Sequence, residues 1–154
     1  MKYQKADLAN RFLALFIDLI IAWAITYILP LIGGIIGVLY MLFRDGLVYQ
    51  LNNDESWKNK SIGKKLFNLE VIKLDGGYVD LAISARRNIT LTVGNFIAIV
   101  PILGWIFGPL IGFVLIIVEL IISLSDSKGQ RLGDNWANTI VVNESFVVDG
   151  EVIE

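Results

Sequence analysis

The 154-residue chain contains no cysteine and no histidine. The first absence excludes disulfides and thiol chemistry, and the two together exclude zinc sites of the usual kind and imidazole proton relays. Only carboxylates, amines, guanidinium groups and hydroxyls are left for any chemistry. Charge is scarce as well, at 18% of residues, and a formal net charge of -2 offers no global basic surface for nucleic acid. What fills the chain is apolar: 55% of residues are hydrophobic and the mean hydropathy is +0.65, too greasy for an ordinary soluble domain. The composition therefore predicts an all-α membrane protein, a small bundle of transmembrane helices in one domain covering residues 1–154.

Hydrophobic runs place the helices. RFLALFIDLIIAWAITYIL, residues 11–29, is apolar apart from Arg11 and Asp18. Its central acid and the lack of a small-residue cleavage site argue for an uncleaved first span rather than a signal peptide. Pro30 and Gly33-Gly34 interrupt the pattern, and a second run follows over 33–51, so a tight hairpin fits. A long apolar run from Ile89 to Leu124 is broken only by Glu119. As one helix it would measure about 54 Å, far beyond the roughly 30 Å hydrocarbon core. Two spans over 88–104 and 107–124, turning between Gly104 and Pro109, solve the length problem. Four spans are favoured on this reading, and a single long or re-entrant helix, giving three, is the alternative.

Between the pairs lies a polar loop, residues 52–87, and after them a tail, residues 125–154. In the loop, LFNLEVIKL before Asp75-Gly76-Gly77 reads as a strand and a turn. Asp80 is placed to cap a short interfacial helix through Leu81, Ile83 and Ala85 toward Arg86 and Arg87. The tail's ANTIVVNESFVVDGEVIE carries β-branched runs that predict one or two strands, able to pair with LEVIKL as a short β element. The two predicted hairpin connections hold no charged residue, so the positive-inside rule predicts that both termini, the loop and the tail are cytoplasmic, as in a bacterial inner-membrane protein.

Arg11 and Asp18 are about 700° of helical rotation apart, nearly on one face. Ionisable groups at membrane depth must be paired, hydrated or neutralised. Arg44, at a similar depth in the second span, is the expected partner of Asp18, and Glu119 is expected to be neutral or to reach Arg86 or Arg87. These four residues read either as a cation or proton site or as structural ion pairs that fix the bundle. Lys64, Lys65, Arg86 and Arg87 are expected at anionic lipid head groups. Ser61-Ile62-Gly63-Lys64-Lys65 lacks both the upstream Gly and the hydroxyl after the Lys that a P-loop needs. Trp23, Tyr27 and Trp105 toward one end of the spans, and Tyr49, Trp57 and Trp136 toward the other, predict interfacial anchoring. Gly104, Gly108 and Gly112 form a small-xxx-small repeat suited to close helix packing, within the chain or across a dimer.

Three elements together resemble the RDD family of membrane proteins: RFLALFID over Arg11 to Asp18, SIGKKLFNLEVIKLDGG in the loop with Arg86 or Arg87 after it, and LGDNWANTIVV in the tail. Residue by residue, Arg11 matches the family arginine, Asp18 and Asp134 its two aspartates, and Ser61, Gly63 and Lys64 the short loop motif. The departures are a long polar insertion, NNDESWKNK, before the loop motif, and Gln130-Arg131 leading into Gly133-Asp134. The resemblance implies a multi-pass membrane protein, and cation/proton antiport has been proposed for some members.

Two functional expectations follow. In the first, the protein is a cation/proton transporter in which Asp18 exchanges Na⁺ or H⁺, Arg11 or Arg44 tunes it, and Glu119 lines the path. A four-span protomer leaves little room for a pathway, and no inverted repeat is evident, so this expectation requires a homo-oligomer. In the second, the protein is a non-enzymatic membrane scaffold or accessory subunit. Ser61 and Lys64 have the spacing of a Ser-Lys pair, but no motif supports catalysis, and neither enzyme activity, a cofactor nor a metal is expected. The expected partners are the bilayer with its anionic lipids.

Overall fold

Two helical hairpins, standing on one shared two-stranded platform, form the protein. The structure is a computed structural model and describes residues 4–29, 32–144, 147–148 and 151–152. Helix α1 (Leu8–Ile28) returns as α2 (Gly33–Asn52), close to the two expected spans. The return is tight because Gly33 packs on the preceding helix, where an added Cβ would lie 2.4 Å from the Ile25 carbonyl oxygen. Most side chains of α1 are apolar yet exposed or only half-buried, and only Ala14, Asp18 and Ala22 are buried, as expected of a helix whose outer face meets lipid.

The second hairpin differs from the sequence expectation at both ends. Helix α4 (Leu81–Ala98) is continuous from its cap, with no separate interfacial segment before a span at residue 88. Asp80 does cap it: the carboxylate accepts the Ile83 N–H at 2.7 Å. The reversal falls at residues 99–102 and not between Gly104 and Pro109, which lie inside α5 (Leu103–Ser125). The chain turns on a strained γ-turn at Ile102 (φ 67°, ψ -76°), with the Leu103 N–H donating to the Pro101 carbonyl at 2.8 Å. The glycines of the small-residue repeat serve packing instead of turning. A Cβ on Gly104 would meet the Ile97 carbonyl at 2.1 Å, and one on Gly108 would meet the Gly94 carbonyl at 2.7 Å, so α4 and α5 approach closely within one chain.

Three helices, α1, α2 and α5, are long and apolar enough to cross a bilayer, which makes this a multi-pass membrane protein. These three match the lower of the two expected counts; α4, 18 residues long, falls short on apolarity, since its buried positions include Ser84, Arg87, Asn88, Thr90 and Thr92, yet it runs between turn and platform like the others. There is no single long helix from 89 to 124, since α4 and α5 are separate.

All four helix ends opposite the turns meet the platform. After α2 come a 3-10 turn (Glu55–Trp57), the short α3 (Ile62–Leu66) and β1 (Leu69–Lys73), and after α5 come α6 (Leu132–Trp136) and β2 (Thr139–Asn143). Strands β1 and β2 pair antiparallel with Val71 opposite Val141, so the loop strand and the tail strand expected to meet do meet. Residues 4–6 run along the free edge of β2, the Ala6 N–H donating to the Val141 carbonyl at 3.2 Å. A small second hairpin, β3 (Val147–Val148) with β4 (Glu151–Val152), follows in the tail. Ala6, Ala14, Leu69, Val71, Val79 and Val141 close a core between platform and helices.

One unit occurs twice. Helical hairpin, five-residue helix and five-residue strand follow each other in both halves. Asn68 and Asn138, each joining the short helix to the strand, both have φ 52°. A Cβ on Gly63 would lie 2.0 Å from the Ala14 carbonyl oxygen, and one on Gly133 would lie 2.0 Å from that of Arg87, so each short helix is pressed glycine-first onto the first helix of a hairpin. The strand register, centred on Val71 and Val141, obeys the same two-fold relation. Because both hairpins begin and end at the platform, the repeat is parallel and not inverted.

The register is open to test because the chain has no native cysteine. The Val71 N–H is taken by the Asn59 carbonyl and the Val141 carbonyl by Ala6, so Val71 and Val141 form a non-hydrogen-bonded pair, the closer of the two kinds. Val71→Cys with Val141→Cys should form an intramolecular disulfide under mild oxidant, seen as a reductant-reversible gel shift. Val71→Cys with Ile140→Cys, one residue out of register and on opposite faces, should not.

Candidate functional site

At the platform end of the bundle the short helices carry polar groups inward to meet those of the spans. Asp18 of α1 is fully buried and accepts the Tyr40 hydroxyl at 2.9 Å, the Ser61 hydroxyl at 2.7 Å and the Gly63 N–H at 2.8 Å, with Arg44 Nη1 at 3.3 Å. Ser61 also accepts the Lys64 N–H as the N-cap of α3. The loop motif is thus a docking element: Ser61 and the Gly63 amide bind the acid, and glycine is required where α3 touches α1.

Asp45, the next residue after Arg44, is a member of the cluster that the sequence reading missed. It is fully buried and takes Lys64 Nζ at 2.5 Å, Asn88 Nδ2 at 2.9 Å and Arg87 Nη1 at 3.4 Å. Asn88 also accepts Arg44 Nη2 at 3.1 Å, and the Ser84 hydroxyl accepts the Asp45 N–H at 3.2 Å, which seals α2 against α4. The signal available in the sequence was adjacency. Two consecutive charged residues inside an apolar run point about 100° apart, so both faces of α2 needed partners.

Asp134 of α6 lies among three guanidinium groups: Arg87 Nη2 at 2.7 Å, Arg11 Nη2 at 2.8 Å and Arg131 Nη2 at 3.3 Å. Burial by itself would push this carboxyl up, but Arg131, Arg87 and Arg11 outweigh it and hold Asp134 well below the usual carboxylate range. Arg11 also donates to the Ser123 hydroxyl at 3.3 Å and to the Gly129 carbonyl. Glu119 does not reach Arg86 or Arg87. It accepts the Thr90 hydroxyl and, at 2.9 Å, the Leu132 N–H.

Of the four residues expected at lipid head groups, Lys64 and Arg87 are buried in these ion pairs, which takes them off the surface. Arg86 is exposed, and Lys65 is half-buried, donating to the Ser56 carbonyl with its amine over the Trp57 ring. Burial pushes the Lys64 ammonium down to about 8; Asp45 opposes the fall, while Arg44 and Arg87 add to it. The cluster gathers five basic groups, Arg11, Arg44, Lys64, Arg87 and Arg131, around four acids, Asp18, Asp45, Glu119 and Asp134. No group of three or more acidic side chains suited to a metal ion occurs among the described residues.

The family model of the RDD family matches residues 5–138, from the platform's first edge through α6. This chain belongs to the RDD family. The Arg11, Asp18 and Asp134 that carried the resemblance in sequence are thus joined through the cluster, Arg11 directly to Asp134 and Asp18 through Arg44 and Asn88 to Asp45 and Arg87. No curated protein and no solved structure matches the chain.

Asp134→Asn should lower stability by about 3–5 kcal/mol, because three buried guanidinium groups lose their common counter-charge. Lys58→Ala, breaking the exposed pair with Glu55, should change it by less than about 1 kcal/mol. Thermal unfolding in detergent checks both. A second expectation concerns pH. An unfolded chain keeps the Lys64 proton up to its ordinary value of 10.5 and the folded one releases it near 8, so between these values the folded state binds fewer protons and gains stability as pH rises. The melting temperature of the wild type should rise from pH 8 to 10 relative to that of Lys64→Met, and equal slopes would refute this account.

Proposed function

We propose that this RDD family protein is a membrane-embedded scaffold, in which buried ion pairs clamp the two-stranded platform across the ends of two helical hairpins. The observation that supports this reading is the saturation of the acids. Asp18, Asp45 and Asp134 each have at least three donors or cations from the protein itself around them. A cation would have to displace an arginine or lysine to reach any of them, in a cluster where basic groups already outnumber acidic ones. On this reading the protein is not an enzyme. The platform faces the cytoplasm of a bacterial inner membrane, since the lysines and arginines cluster toward the platform end and neither inter-helix turn holds a charge. The exposed platform then offers a partner or a second copy of the chain a docking surface.

One observation favours the second reading, cation/proton exchange. Glu119 has no basic side chain within ion-pair distance among the described residues, and it lines a cleft between α1 and α5. If exchange occurs, Glu119 and not Asp18 is the group free to pass a proton.

Proteoliposomes with a trapped pH-sensitive dye separate the readings. The scaffold reading expects no Na⁺- or K⁺-driven proton movement from wild type, with Asp18→Asn lowering thermal stability and Glu119→Gln leaving the trace flat. A cation-dependent signal in wild type that vanishes in well-folded Glu119→Gln would sink the scaffold reading and establish exchange.

A further inference from the structure

The repeated architecture predicts two equivalent helix seams, and only one of them is filled. Where α2 meets α4, Asp45, Asn88 and Ser84 interlock, and Gly46 lets the segment leading into α4 close on α2, an added Cβ there falling 2.9 Å from the Val79 carbonyl oxygen. The counterpart is the seam where α5 meets α1, and there a cleft remains, about 50 Å³ in volume. That is room for roughly three or four waters, or for a group of phosphate size. Its walls are apolar: Phe12 and Leu15 from α1, Leu91 from α4, Ile116 and Leu120 from α5. Its inner end is basic, lined by Arg11, Arg44, Lys64 and Arg131, with Glu119 and Ser123 beside them.

Two further observations point to an anion at that inner end. Arg44 is 1% exposed, yet its Nε has no hydrogen-bond partner among the described residues, so a buried donor on the cleft wall is left unsatisfied. The charge cluster behind the wall also carries one more basic group than acidic, an imbalance that is costly away from water. A ligand with one negative charge would remove both defects. The apolar walls and the exposed apolar flanks, Phe12 and Phe16 on α1 and Phe113 on α5, require that the ligand also have a hydrocarbon part.

We propose that the α1–α5 seam binds an anionic phospholipid, its phosphate at Arg44 and Arg11 and an acyl chain lying outward along the two helices. This is a built site in the interior of the fold, distinct from surface lysines meeting head groups, and it does not rest on the scaffold reading. The lipid completes the seam that protein side chains close on the other side of the repeat.

The experiment is native mass spectrometry of the delipidated full chain in a neutral detergent, titrated in parallel with phosphatidylglycerol, with phosphatidylcholine of the same acyl chains, and with inorganic phosphate. One phosphatidylglycerol should bind per chain, at least tenfold more tightly than phosphatidylcholine, and excess inorganic phosphate should not displace it. Leu120→Trp, which fills the cleft without touching the charges, should lose this preference, and Leu120→Phe provides a smaller filling should the Trp variant not fold. Val114→Trp, on the exposed face of α5, should retain it. Equal affinity for the two lipids, displacement by inorganic phosphate, or unchanged selectivity in a folded cleft-filled variant would each overturn the proposal.

Discussion

Asp134 is buried to zero exposure against Arg11, Arg87 and Arg131, and the packing of the molecule depends on this contact and its relatives at Asp18 and Asp45. A carboxylate taken out of water loses several kcal/mol of solvation, so it stays ionised only where cations and donors are held within hydrogen-bond reach. That requirement dictates the close packing around it. The Asp18 carboxylate needs the Ser61 hydroxyl and the Gly63 amide, so α3 must come down onto α1 where a side chain larger than glycine would collide. Asp134 needs Arg87 and Arg11 together, so α6 must reach both α4 and α1. Satisfying three buried acids thereby ties two hairpins, two short helices and a strand pair into one body.

The internal repeat accounts for the arrangement of these contacts, and its imperfections fall at charged positions. Gly63 and Gly133 dock equivalently, yet the residue after each is of opposite sign, Lys64 in one half and Asp134 in the other. Lys64 turns to Asp45 of its own hairpin's second helix, whereas Asp134 gathers arginines from both halves. This one difference between the copies makes two similar docking elements a cross-linked pair.

How far this was legible in sequence differs by element. The first hairpin was, because two apolar runs flank a Pro-Gly-Gly interruption. The strand pair was, because β-branched runs in the loop and the tail stand out from their polar surroundings. Arg11, Asp18 and Asp134 were legible as the charged residues of the family pattern. The turn of the second hairpin was not, because glycine and proline have two uses in helices. Gly104 and Gly108 read in sequence both as turn residues and as a close-packing repeat, and the helix lying against them decides for close approach. The repeat is hard to read in sequence because the short helix and strand of the two copies share only a glycine, an asparagine and a valine at matched spacing, Gly63, Asn68 and Val71 with Gly133, Asn138 and Val141, among unlike side chains.

By itself the sequence determined the solvent of this protein, since a chain with so much apolar surface and so few charges must place its helices in lipid, and it determined which charges had to be reconciled with that solvent. Only the tertiary structure decided who reconciles them. Asp45 joins the cluster, Lys64 and Arg87 leave the surface, and Glu119 has no cation partner among the described residues, because pairing depends on which helix faces meet and at what height. Helical periodicity specifies the face each residue occupies on its own helix. The neighbour across that face is set by long-range packing, by glycines pressed onto carbonyls and strands paired across the repeat, which no local pattern encodes.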